Sequence, residues 1–177
     1  MENEQRQRRG ASLLFLAFFT ACLGTCGACE GAFQLQGDRY LVAAPDASPE
    51  EADAQLEVAA LLASNPNRSA LAASRIVVSL LLVWGGFMLM RRHANALWWA
   101  RNAAVAGALW VVAQTLSAYR HRLLIADDLA TAAALLPDSP QVKSTWPLLN
   151  GAIVLVVYIY LLVRLNHPDI KREVGAK

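Results

Sequence analysis

None of the four longest apolar stretches of this 177-residue chain holds an aspartate or glutamate, there is no cysteine after Cys29, and there are three histidines in all. Each absence excludes something. Proton-coupled transporters and ion pumps rely on carboxylates at membrane depth. The uncharged stretches therefore argue against both, while a pathway for a neutral substrate stays open. Haem held in a helical bundle needs two histidines facing each other at one depth. His93 and His167 instead fall on one side of the membrane and His121 on the other, about 30 Å away. No Ser/His/Asp set, glycine-rich phosphate loop or metal-binding His/Glu spacing appears, so the sequence calls for no cofactor and no metal and carries no signature of an enzyme.

What is present is apolar length. Ala11–Cys29, Leu71–Met90, Leu97–Ala118 and Trp146–Val163 each suffice to cross a hydrocarbon core of about 30 Å at about 1.5 Å per helical residue. The expected fold is all-α, a single integral membrane domain over 1–177. It has four transmembrane helices, outer loops 30–70 and 119–145, and a small extracytoplasmic cap of two short helices and a β-hairpin. With both termini inside, the inner segments hold Arg6, Arg8, Arg9, Arg91, Arg92, Arg101, Arg164, Lys171, Arg172 and Lys177, ten of the sixteen basic residues. Because basic residues favour the cytoplasmic side, the chain is oriented N-in and C-in. Ten of the fourteen acidic residues fall outside. The net charge of +2 thus averages two unlike sides and gives no contiguous basic surface for nucleic acid. Basic ends beside the helices are suited to anionic lipid. Thirteen of the sixteen basic residues are Arg and the chain is rich in Ala, a bias typical of a GC-rich bacterial genome and hence of a bacterial inner membrane.

The first helix has a second reading. Arg6–Arg9, the apolar run Leu13–Phe19 and Phe19-Thr20-Ala21-Cys22 resemble a lipoprotein signal ending at a lipidated Cys, which would remove residues 1–21. Phe and Thr fit the cleavage positions poorly, and the run continues past a signal core. Beyond it, Phe33, Leu35, Tyr40 and Val42 alternate around Gly37-Asp38, the pattern of a β-hairpin. Ser48-Pro49-Glu50-Glu51 supplies an N-cap, a Pro at the first helical position and a capping-box Glu, so a helix runs to about Ser64 and stops at Asn65-Pro66-Asn67. A second outer helix is expected over Ala126–Leu136. Ala59–Ser69 and Ala133–Ser144 both run Ala-Ala-Leu-Leu to a Pro, each after an Ala-Asp, and suggest a two-fold repeat of an outer helix followed by a membrane helix. Both outer helices should lie apolar side down on the bundle or the membrane.

Trp98, Trp99 and Trp146 mark interfaces, and Ala103/Gly107 and Gly27/Gly31 have the four-residue spacing of close helix contact. Gln114 and Asn150 are the uncharged polar groups best placed to bond across helices. Arg75 and Arg101, in the first turns of their spans, are long enough to reach the headgroups. Tyr119-Arg-His-Arg122 is a basic cluster on the acidic outer side.

The one local feature with chemical content is Cys22, Cys26 and Cys29. At about 0°, 400° and 700° around a helix, they share one face. Cys26 and Cys29 have dithiol spacing and are the candidate redox residues. The opposing reading is packing: an unbroken helix orients side chains three apart poorly for a disulfide, and Cys22 would lie buried against another helix with the thiols shielded. A thiol relay would also need a second pair in the other outer loop, where there is no Cys. The sequence thus points to a non-enzymatic accessory or scaffold component of a bacterial inner-membrane assembly. Its partners would be the bilayer and another protein or a second copy, met through small-residue helix faces and the outer cap. The alternatives are a thiol-disulfide redox protein using Cys26 and Cys29, and a small transporter or channel subunit.

Overall fold

The computed structural model describes residues 2–36, 48–132, 134, 136 and 145–174. Among them are seven helices and no strand: α1 (Glu2–Gln36), α2 (Pro49–Ala63), α3 (Arg68–Met90), α4 (Ala96–Leu124), α5 (Ala126–Ala132), α6 (Trp146–Asn166) and α7 (Pro168–Val174). Four contain segments long and apolar enough to cross a membrane, Ala11–Leu35, Arg68–Met90, Ala96–Leu124 and Trp146–Asn166. The four expected spans are thus all helical, and each is longer than the apolar stretch alone indicated.

The long helices run antiparallel in sequence, α1 along α3, α3 along α4 and α4 along α6. The core between them is built from Leu13, Leu16, Leu82, Leu89, Leu97, Val111, Leu161 and Leu165. At one end sit α7, the α3–α4 turn and the start of α1. At the other sit α2 and α5. The α3–α4 turn is closed tightly: the Arg92 N–H donates to the Leu89 carbonyl and the His93 N–H to Met88, both at 3.1 Å. Arg92 takes the left-handed position of this cap, φ 51°, where glycine is usual, at a cost of about 1–2 kcal/mol.

The α1–α3 contact is the closest in the molecule because small residues recur every seventh position on both helices: Ala17, Gly24 and Gly31 against Ala72, Ser79 and Gly86. A Cβ on Gly86 would stand 2.8 Å from the Ala17 carbonyl oxygen, and one on Gly31 3.1 Å from that of Ala72. Heptad spacing keeps such a seam on one face of each helix. The Gly27/Gly31 pair lies in this seam. Gly107 of the second pair makes room instead for the Tyr158 ring of α6.

Two expectations need correction. Phe33 and Leu35 are not in a strand, because α1 runs unbroken to Gln36; nothing between Cys29 and Gln36 stops a helix, and Gln34 bonds back to Glu30 at 3.3 Å. The rest of the expected hairpin, Gly37 to Val42, lies outside the described residues, as does most of the second copy of the repeat. The outer helices exist, with the Ser48–Glu51 capping box formed, but α5 ends at Ala132 rather than Leu136. Their apolar sides also face each other and not the bundle: Val58 of α2 packs on Leu129 and Ala132 of α5 in a separate small core. The Ser48 backbone N–H and hydroxyl hold the Glu51 carboxyl below its usual range.

Valine at Gly24 is expected to destabilise the bundle near the top of the range of about 1–3 kcal/mol for overpacking, since its Cβ alone would lie 2.8 Å from the Val83 backbone nitrogen. Alanine at Gly85 is expected to be near neutral. There the Cβ meets Ala100 Cα at 3.0 Å, and the helix-propensity gain of about 1 kcal/mol offsets the small shift required. Thermal unfolding of both variants in detergent measures the difference.

Candidate functional site

The four long helices each bring one residue to a common polar group, two to three turns in from the α2/α5 end. From α1 comes Glu30 and from α3 Arg75, two turns inside its helix. The guanidinium grips the carboxylate with both terminal nitrogens, Nη1 to Oε1 at 2.6 Å and Nη2 to Oε2. From α4 comes Trp110. Its ring lies under the Arg75 guanidinium, 4.6 Å from the centroid, and its indole N–H donates to the Leu71 carbonyl at 2.9 Å, which fixes the ring's orientation. From α6 comes Tyr158, over nine-tenths buried, its ring laid on Gly107 and within electrostatic reach of both Arg75 and Glu30.

The geometry follows from the seam. Gly27 and Gly31 flank Glu30 within one turn and press α1 onto α3, and Arg75 lies between Ala72 and Ser79 of the opposing heptad. Only there do the two side chains reach each other in bidentate register, the strongest arrangement of this ion pair. The cation over Trp110 adds about 0.5–2 kcal/mol and ties α4 to the pair. Arg75 is 17% exposed and Glu30 53%, so the carboxylate faces the bundle surface and the guanidinium its interior.

This arrangement corrects the reading that no carboxylate shares the depth of Arg75. The helix carries Glu30 one residue past the apolar stretch and into the apolar segment Ala11–Leu35, and Arg75 points inward rather than to the headgroups. The legible signal was the seven-residue spacing of small residues on two helices, which predicts an antiparallel seam and places residues 30 and 75 opposite each other. Trp110 and Tyr158 carry no such signal; their roles appear only in three dimensions. Arg101 is also directed inward, its Nη2 donating to the Leu165 carbonyl at 3.2 Å.

The three cysteines share a face of α1, as expected, and it is the face turned away from α3. All are free, Cys22 half-buried and Cys26 and Cys29 exposed on the bundle surface, so Cys22 is less buried than expected and the other two are unshielded by protein. Gln114 is half-buried and Asn150 exposed. Neither makes a side-chain hydrogen bond among the described residues, and cross-helix bonds fall instead to Trp110, Arg101 and Arg164, which donates to Ser12 at 2.9 Å. In the Tyr119–Arg122 cluster, His121 Nε2 lies 3.0 Å from the Leu61 carbonyl oxygen and 3.3 Å from Ser64 Oγ. Asn65 and Asn67 both donate to Ser117 at 3.3 and 3.2 Å. This cluster fastens α2 to α4. His93 and His167 are exposed. No group of three or more metal-binding side chains occurs among the described residues.

No family model, curated protein or solved structure matches the chain.

Removing one partner of a buried ion pair leaves the other charge uncompensated, a cost of about 3–5 kcal/mol when both are dry. With Glu30 half exposed, Arg75→Gln or Glu30→Gln is expected to cost about 1–3 kcal/mol, Arg75→Gln leaving the more accessible charge behind and costing less. The double variant should recover part of that loss. A double-mutant cycle by urea or thermal unfolding in detergent measures the coupling.

Proposed function

We propose that this chain is a non-enzymatic accessory or scaffold component of a bacterial inner-membrane assembly, with both termini cytoplasmic. The observation that carries the reading is that the charge at membrane depth is turned inward and neutralised by the Glu30–Arg75 pair. The surfaces left to meet other molecules are then of two kinds. One is the apolar flank of the long helices, with Phe15 and Phe18 of α1, Leu109 of α4 and Ile153 and Val163 of α6 exposed, suited to lipid or to another membrane helix. The other is the paired α2 and α5, which present Glu50, Glu51, Asp53, Glu57, Asp127 and Asp128 outward and fit an extracytoplasmic cap that contacts a partner protein or a second copy.

The orientation rests on charge asymmetry along the bundle. Arg91, Arg92, Arg101, Arg164, Lys171 and Arg172 lie at the α7 end and the exposed carboxylates of α2 and α5 at the other, which supports a cytoplasmic α7 end by the positive-inside rule. The thiol-redox alternative draws less support. Cys26 and Cys29 lie on an unbroken helix, and joining them would require that helix to unwind.

Reporter fusions at residues 94 and 177 are expected to read cytoplasmic and a fusion at 130 to read outside. Affinity purification from native membranes should retain the same partner with wild type and with Cys22, Cys26 and Cys29 all replaced by Ala. An outside C-terminus sinks the orientation. Loss of the partner in the triple variant at normal expression moves the function to the thiols.

A further inference from the structure

The Tyr158 hydroxyl is the one polar group of the four-helix cluster that the protein leaves unused. The residue is 9% exposed and its hydroxyl makes no hydrogen bond among the described residues. A buried hydroxyl without a partner costs free energy unless something else supplies one. Its direction is informative. Side chains lean toward the N-terminus of their helix, and for α6 that is the α2/α5 end, where Arg75, Glu30 and Trp110 lie. Gly107 has no side chain to block the ring. Helix α1 touches α6 slightly, and the bond joining them, Arg164 to Ser12, is at the α7 end. The cluster is therefore approached from the flank between α1 and α6.

We propose that Tyr158, Arg75, Trp110 and Glu30 form an intramembrane binding site for an uncharged, membrane-soluble molecule that offers a carbonyl oxygen. The chemistry of the site selects this class. Glu30 and Arg75 cancel, so a charged ligand would bring an uncompensated charge into an apolar bundle. The unused groups are mostly donors, the Tyr158 O–H and those Arg75 N–H groups not given to Glu30, so the ligand supplies acceptors. The flank on which the site opens is apolar, so the ligand arrives through the bilayer, and the Trp110 and Tyr158 rings provide flat surfaces for a ring or a conjugated carbonyl. Binding is through hydrogen bonds and stacking, with no bond made or broken.

The probe is a decyl-substituted benzoquinone with a fully substituted ring, which carries two carbonyls and does not alkylate the free cysteines. It is titrated into the detergent-solubilised full chain while the five tryptophan indole N–H resonances are followed by 15N NMR, Trp110 being assigned by Trp110→Phe. The Trp110 resonance should shift saturably while Trp98 and Trp146 stay in place. Tyr158→Phe should weaken binding about three- to tenfold, the range of one hydrogen bond. Absence of a saturable Trp110 shift, or unchanged affinity in Tyr158→Phe, overturns the proposal. If that variant does not fold, nuclear Overhauser contacts between the probe's ring substituents and the Tyr158 and Trp110 rings of the wild type decide instead, and their absence at saturating probe overturns it equally.

Discussion

The close antiparallel approach of α1 and α3 is the constraint on which the other contacts depend. Glycine, alanine and serine at every seventh position let two backbones meet where a single Cβ would already collide. With lipid as apolar as any leucine, packing of this kind and interhelical polar contacts are what hold membrane helices together. The seam also fixes register. One residue of slip would separate Glu30 from Arg75 and turn Gly24 away from Val83, so the steric and electrostatic terms favour one alignment together.

From that alignment the rest of the interior follows in order. Arg75, held by Glu30, offers its flat face to Trp110, and Trp110 returns a hydrogen bond to Leu71 on the helix that carries Arg75. Helix α4 is thereby bound to the pair, and Gly107, one turn away, admits the Tyr158 ring from α6. Four helices thus converge on one charged group whose desolvation, several kcal/mol per ion in a dry interior, is offset by a bidentate partner, an aromatic face and the half-exposure of Glu30. The α2–α5 pair lies outside this network, with its own small core and a separate attachment through His121 and Ser117.

Fold class and the four apolar segments were legible because hydrophobic length is a strong signal in a chain whose polar residues are sorted between loops. The capping box at Ser48 was legible for a local reason, since all its parts lie within four residues. The end of α1 was not. Phe33, Leu35 and Tyr40 alternate as a strand would, but a helix already in progress extends over residues that do not stop it. That error removed Glu30 from the membrane segment and left Arg75 without a partner, hiding the site. Tyr158 and Trp110 were unreadable for a different reason: an aromatic residue in an apolar helix looks the same whether it faces lipid or a cation, and only the partner helices decide.

The central claim is that Glu30 and Arg75 are in direct contact inside the assembled bundle. It is tested most directly by magic-angle-spinning dipolar recoupling between 13C-carboxyl-labelled glutamate and 15N-guanidinium-labelled arginine in the full chain in bilayers, with Arg75→Lys as the subtraction reference. The account predicts a coupling lost in the variant, corresponding to a nitrogen-to-carboxyl-carbon distance of about 3–4 Å, as in a bidentate pair. A spectrum identical in wild type and variant, with no Glu–Arg coupling assignable to residue 75, would contradict it.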